Sequence, residues 1–143
     1  MCDRISRIST GGGVVVKIQQ SAENYLETIY MLSRVRASVR SIDIANELEF
    51  SKPSVSIAMK NLRENGYISV SDDGSITLTE AGESIARAMY ERHTMITRWL
   101  VSLGVDERVA SDDACKIEHV ISAETFEAIK RHAVTTPYDN QTK

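Results

Sequence analysis

Cysteine and proline are both scarce in this chain, with two of each among 143 residues. Cys2 and Cys115 stand far apart, so no disulfide framework is legible and a reducing compartment is the expected setting. With so few prolines and only seven glycines, collagen-like and low-complexity chains are excluded. Long apolar runs are missing too. The strongest stretch near the start, Gly11 to Val16, is too short and too rich in glycine to span a bilayer or form a signal h-region. A cytoplasmic protein with no membrane partner is therefore expected. An excess of cations is absent as well: 17 Lys and Arg face 20 Asp and Glu, for a net charge of −3. That argues against a non-specific nucleic-acid coat protein. Specific DNA binding stays open, because local basicity decides it, and Arg34, Arg36, Arg40, Lys52, Lys60 and Arg63 gather in one segment. What remains is an ordinary globular composition, 42% apolar and 26% charged, suited to one compact domain or two small ones sharing a core.

Residues 1–20 lack helical periodicity and include Gly11, Gly12 and Gly13, so they are expected to form a mobile arm. Behind Ser21 as N-cap, with Glu23 in the first turn, the apolar residues Tyr25, Leu26, Ile29, Tyr30 and Leu32 or Val35 recur at helical spacing, which predicts a first helix over 21–36. Ser41 is a candidate N-cap for a second, short helix ending at Leu48, with Ile42, Ala45 and Leu48 as its apolar face. Ser51-Lys52-Pro53-Ser54 supplies a cap and a first-turn proline for a third helix, buried through Val55, Ala58, Met59 and Leu62 and stopped at Gly66. Tyr67 to Ser71 and Ser75 to Leu78 alternate around Asp72-Asp73-Gly74, which is hairpin chemistry. Thr79 caps a long fourth helix with Ile85, Met89, Ile96, Trp99, Leu100 and Leu103 as its stripe, and Gly104 closes it. A fifth helix is expected over 106–121. Ser122 caps a sixth that runs to about His132, with Phe126 and Ile129 inward, followed by a frayed tail over 135–143.

Two constellations carry chemistry. Helix, short helix, turn, helix and hairpin in that order form a winged helix-turn-helix over 21–79. The major groove accepts one helix, and Ser51, Lys52, Pro53, Ser54, Ser56 and Ile57 at the start of the third helix are the candidates to approach base edges or phosphates. Lys60 and Arg63, with Arg40 before the second helix, are placed at the DNA backbone. The second constellation is Cys115, Glu118 and His119, which at i, i+3 and i+4 project from one helix face. Thiolate, carboxylate and imidazole are all ligands of first-row transition metals. Singly, each has a bland explanation: a small buried hydrophobe, a surface charge, a satisfied interior histidine. Together they point to a metal.

The chain resembles the DtxR/MntR family of metal-dependent transcriptional repressors over about 21–133. The resemblance is carried by Ala22-Glu23-Asn24-Tyr25-Leu26-Glu27-Thr28-Ile29-Tyr30, the helix-turn-helix, Leu78-Thr79-Glu80-Ala81-Gly82, Arg92-His93, and the run Asp113 to Ser122 with Cys115-Lys116-Ile117-Glu118-His119 at its centre. It implies a mainly α fold with a small β wing: a winged helix-turn-helix domain, then an all-helical metal-binding and dimerisation domain over 80–134, without a third SH3-like domain. It also implies that Cys115, Glu118, His119 and His93 are metal ligands, with Glu27 and Asn24 completing the shell from the first helix. Glu27 matches the manganese-responsive branch and Cys115 the iron-responsive branch, so the chain is a hybrid. Asn24 stands where the family usually offers Met or Asp, and an amide oxygen is a weaker, neutral ligand. Thr97 and Ser111 stand where the iron branch has an ancillary-site carboxylate and histidine, so one principal ion is expected.

The function implied is repression of divalent-metal uptake genes by a homodimer on palindromic operator DNA. The ion ties the DNA-binding domain to the dimerisation domain and so holds the two reading helices about one DNA turn, ~34 Å, apart. Fe(II) is favoured over Mn(II) because of the thiolate, and other first-row ions can substitute. The alternative is a winged-helix regulator that senses oxidant or a small organic ligand, with Cys115 as a reactive thiol. An enzyme is not expected, since no nucleophile triad, phosphate loop or open-site motif is present.

Overall fold

The computed structural model describes residues 14–135. Six helices and one hairpin follow in the order α1 (Val14–Val35), α2 (Ser41–Leu48), α3 (Lys52–Glu64), β1 (Ile68–Val70), β2 (Ile76–Leu78), α4 (Glu80–Ser102), α5 (Glu107–Ile117) and α6 (Ala123–Thr135). The described chain divides into two compact units, one ending at Met89 and the other starting at Tyr90. Among the described residues no helix is long and apolar enough to cross a membrane.

In the N-terminal unit α1 begins at Val14, not at Ser21 as the periodicity suggested. No glycine or proline interrupts Val14 to Gln20, so the helix propagates back to the glycine triplet. The part of the expected arm over 1–13 lies outside the described residues, as does the tail beyond residue 135. α2 has the expected bounds but a different cap. Arg40 is the N-cap, and its backbone N–H donates to Asp43 Oδ2 at 2.9 Å. Its buried face is Ile44, Ala45 and Leu48, while Ile42 is 39% exposed. At 100° per residue Ile42 is rotated roughly 110° from the centre of that face, which is why the expected Ile42 face fails.

α3 starts as expected. Ser51 is its N-cap, with its hydroxyl accepting from the Ser54 N–H at 3.3 Å, and proline stands in the first turn. Val55, Met59 and Leu62 are buried and, with Leu26, Ile29, Ile44 and Leu48, form the core of this unit. Each such side chain contributes about 1.5–3 kcal/mol when fully buried. The hairpin is antiparallel, pairing Ile68 with Leu78 and Val70 with Ile76. The Val39 carbonyl accepts from the Ile76 N–H at 2.7 Å, tying the hairpin to the segment between α1 and α2. At its tip, Asp73 accepts from the Ser75 N–H at 3.1 Å and from the Ser71 hydroxyl.

Thr79 caps α4, as its position predicted. Its Oγ1 accepts from the Gly82 N–H at 3.2 Å and donates to the Gly66 carbonyl at 2.6 Å. In the C-terminal unit Ile96, Ala114 and Phe126 form the buried core. Leu103, expected in the α4 stripe, lies past the end of the helix and is 59% exposed. α5 ends at Ile117, four residues before the expected Ile121. Ser122 caps α6, accepting from the Thr125 N–H at 3.1 Å.

Candidate metal centre and nucleic-acid interface

The exposed side of α3 carries every residue placed there from sequence. Ser51, Lys52, Pro53, Ser54, Ser56, Ile57, Lys60 and Arg63 are all exposed, as is Arg40 ahead of α2. Opposite them lie the buried Val55, Met59 and Leu62, so the amphipathic period alone turns the hydroxyls, Ile57 and Lys60 outward. Two hydroxyls are already committed within the cap: Ser51 Oγ donates to Ser54 Oγ at 2.8 Å. Lys60 has Glu64 one turn on at 4.0 Å, with both side chains mostly exposed, a pair too weak to hold the ammonium away from another anion. Arg40 lies 4.0 Å from Asp73 at the hairpin tip. The Ser71 hydroxyl, then the Ser75 backbone N–H, hold the Asp73 carboxyl down at about 2.

In the C-terminal unit His93, Cys115 and Glu118 offer ligand atoms that all lie within 4.8 Å of one another. α4 supplies the histidine and the end of α5 supplies the other two. Although α5 stops at Ile117, Glu118 keeps right-handed helical angles (φ −57°, ψ −29°), which preserves the i, i+3 alignment with Cys115. Glu118 is fully buried and Cys115 is 5% exposed. A carboxylate is costly to bury without donors or cations around it. Here His93 Nδ1 lies 3.0 Å from one Glu118 oxygen and His119 Nε2 lies 3.2 Å from the other. The far nitrogen of His93, Nε2, is 3.3 Å from Ser111 Oγ. Sulfur, oxygen and imidazole nitrogen gathered in a buried space fit a transition-metal ion by their donor chemistry. Cys115 can ligate only as the thiolate, so the reduced chain is the metal-binding form.

Two further residues shape this centre. Arg92 Nη1 donates to the Glu118 carbonyl at 3.0 Å and to the Ile121 carbonyl at 3.3 Å, and its guanidinium lies 5.4 Å from the Phe126 ring centroid. It therefore fixes the backbone that presents Glu118 and His119. Sequence reasoning missed this role, since carbonyl partners leave no local trace; the place of Arg92 in the Arg92-His93 pair that carries the resemblance was its signal. Thr97 donates its hydroxyl to the His93 carbonyl at 2.6 Å and so sits within its own helix. In the N-terminal unit, Asn24 and Glu27 are buried on α1, at 7% and 4% exposure. The Asn24 carbonyl accepts from Thr28 Oγ1 at 2.8 Å.

Residues 17–76 match the N-terminal DNA-binding domain of the iron dependent repressors, and residues 79–137 match their metal binding and dimerisation domain. The chain belongs to the iron-dependent repressor family. One relative, an uncharacterized HTH-type transcriptional regulator of Methanocaldococcus jannaschii, is 36% identical over 115 residues, covering 79% of this chain and 92% of that protein. The transcriptional regulator MntR of Escherichia coli O6:H1 is 34% identical over 108 residues, 76% of this chain and 70% of its own length. Among solved structures, a manganese-dependent transcriptional repressor in complex with manganese superposes with a TM-score of 0.74 at 26% identity, covering 80% of this chain and 53% of that one. The chain thus spans about half the length of that solved repressor. As an iron-dependent repressor it has the family's winged-helix DNA-binding domain followed by a helical domain, and the family is one of transcriptional repressors.

Proposed function

We propose that this chain is a metal-dependent transcriptional repressor of divalent-metal uptake genes, acting in the cytoplasm as a homodimer on palindromic operator DNA. The observation that carries the reading is the convergence of His93, Cys115 and Glu118 ligand atoms within 4.8 Å of one another. His93, Cys115, Glu118 and His119 hold the ion in the reduced chain. For Glu27 and Asn24, ligation rests on the resemblance alone. The ion supplies a positive charge and fixed ligand directions; it does no covalent chemistry. Arg92 keeps the Glu118 backbone in place, and Ser111 steadies the His93 ring. Arg40, Lys52, Lys60 and Arg63 meet phosphates, while Ser51, Pro53, Ser54, Ser56 and Ile57 face the groove. The sulfur donor favours Fe(II); the manganese-bound relative and the two carboxylates favour Mn(II) equally well.

Fluorescence anisotropy on a palindromic duplex, with reduced protein kept anaerobic, tests this. Adding Fe(II) or Mn(II) should tighten binding by about tenfold or more, within the usual span of coupling energies, and operator should tighten metal binding by the same factor. His119→Ala should remove that gain while the metal-free protein keeps a folded circular-dichroism spectrum, its melting temperature lowered by the loss of a partner of the buried Glu118 carboxyl. Affinity unchanged by chelation would overturn the reading. Glu27→Ala and Asn24→Ala, read by metal calorimetry, decide whether α1 contributes ligands: a retained affinity strikes them from the shell.

A further inference from the structure

We infer that Ile57 reads the C5-methyl group of a thymine in each operator half-site, an inference that rests on the DNA-binding reading above. Ile57 is 63% exposed. It lies roughly opposite the buried line of Val55, Met59 and Leu62 at 100° per residue, so it occupies the middle of the outward face. Ser54, Ser56 and Lys60 surround it on that face, all exposed. Single exposed apolar residues are common on protein surfaces. What distinguishes this one is its place in the first two turns of the helix that a winged helix-turn-helix lays in the major groove.

Of the four bases, only thymine shows the major groove an apolar group. A β-branched side chain has few rotamers, so pressing it against a methyl loses little freedom. Against the edges of the other bases the same side chain covers N4–H, N7 or O6 without offering a partner, which leaves buried polar groups unmet. Ile57 therefore discriminates twice, by attraction to the methyl and by penalty elsewhere. The neighbouring hydroxyls of Ser54 and Ser56 have no such preference, since serine suits either donors or acceptors.

Enrichment from a random duplex pool by the reduced, Mn(II)-loaded protein supplies the operator, and replacing its thymines one at a time by deoxyuridine removes only the methyl. The expected result is one thymine per half-site whose replacement weakens binding about fourfold, and about fifteenfold when both half-sites are changed, the value of one buried methyl-sized group. Ile57→Ala should bind the thymine and uracil duplexes equally and keep its melting temperature, while Ile57→Val should keep part of the preference. If Ile57→Ala binds too weakly to measure, Ile57→Val must still show a smaller thymine-to-uracil ratio than the unmodified protein. Tolerance of uracil at every position, or an undiminished ratio in the variants, overturns the inference and leaves the repressor reading standing. Enrichment of no duplex at all overturns both.

Discussion

A Cβ built on Gly82 would lie 2.0 Å from the Tyr67 carbonyl oxygen and 3.0 Å from its carbonyl carbon. Both are backbone atoms, so neither can swing away as a flexible side chain would. Gly82→Ala should therefore destabilise the protein by about 1–3 kcal/mol, the usual cost of overpacking. A urea unfolding midpoint that stays in place would refute it. Nothing local in Thr79-Glu80-Ala81-Gly82 announces this constraint; the tract reads as a helix start, and the contact comes from a residue fifteen positions earlier. The same division runs through the candidate site. Cys115, Glu118 and His119 were legible because helical spacing alone puts them on one face. His93 entered only through resemblance, and the grip of Arg92 on the Glu118 and Ile121 carbonyls was not legible at all. Side chains that act on distant backbone leave no periodic mark.

Among the elements, Ser51 ahead of α3, Thr79 ahead of α4 and Ser122 ahead of α6 all cap as expected, whereas Ser21 falls inside α1 and Arg40 replaces Ser41 as the cap of α2. A lone serine does not fix a helix start where the chain before it can also be helical. α1 runs back to Val14 because nothing in its sequence stops it, and α5 ends at Ile117 without glycine or proline. The hairpin has its own local support in Asp73, whose carboxyl is depressed to about 2 from an ordinary 3.8. A depressed carboxyl supports the folded turn fully above its ordinary value and loses that support as pH falls from 3.8 through about 2. A carbon-detected NMR titration should therefore find the Asp73 midpoint near 2, and Ser71→Ala should raise it, because the Ser71 hydroxyl is the largest cause of the depression. A midpoint near 3.8 in the unmodified protein would dismiss this account of the tip.

Taken as a whole, the molecule is acidic, with a net charge of −3, so long-range attraction to DNA is weak and, on the proposed reading, contact rests on a few local cations. Four are exposed around the reading face, Arg40, Lys52, Lys60 and Arg63, and a dimer presents them twice. If all eight meet phosphates, the logarithm of the operator affinity should fall against the logarithm of salt concentration with a slope of about −7. Lys60→Ala should reduce that slope to about −5, and a wild-type slope shallower than about −3 would take these cations off the phosphates. The winged-helix architecture was readable in advance because it rests on short-range patterns, whereas the helical domain after it came from the resemblance. The hairpin apex described above bears on operator length. Asp72 and Asp73 are both exposed there, and two carboxylates repel a polyphosphate strand. On the proposed reading, base recognition is left to Ser51 and the first six residues of α3, which together span roughly 9 Å, or about three base pairs. So brief a word recurs by chance throughout any genome. On the proposed reading, fidelity comes from the fixed spacing of two such words, which a monomer cannot measure.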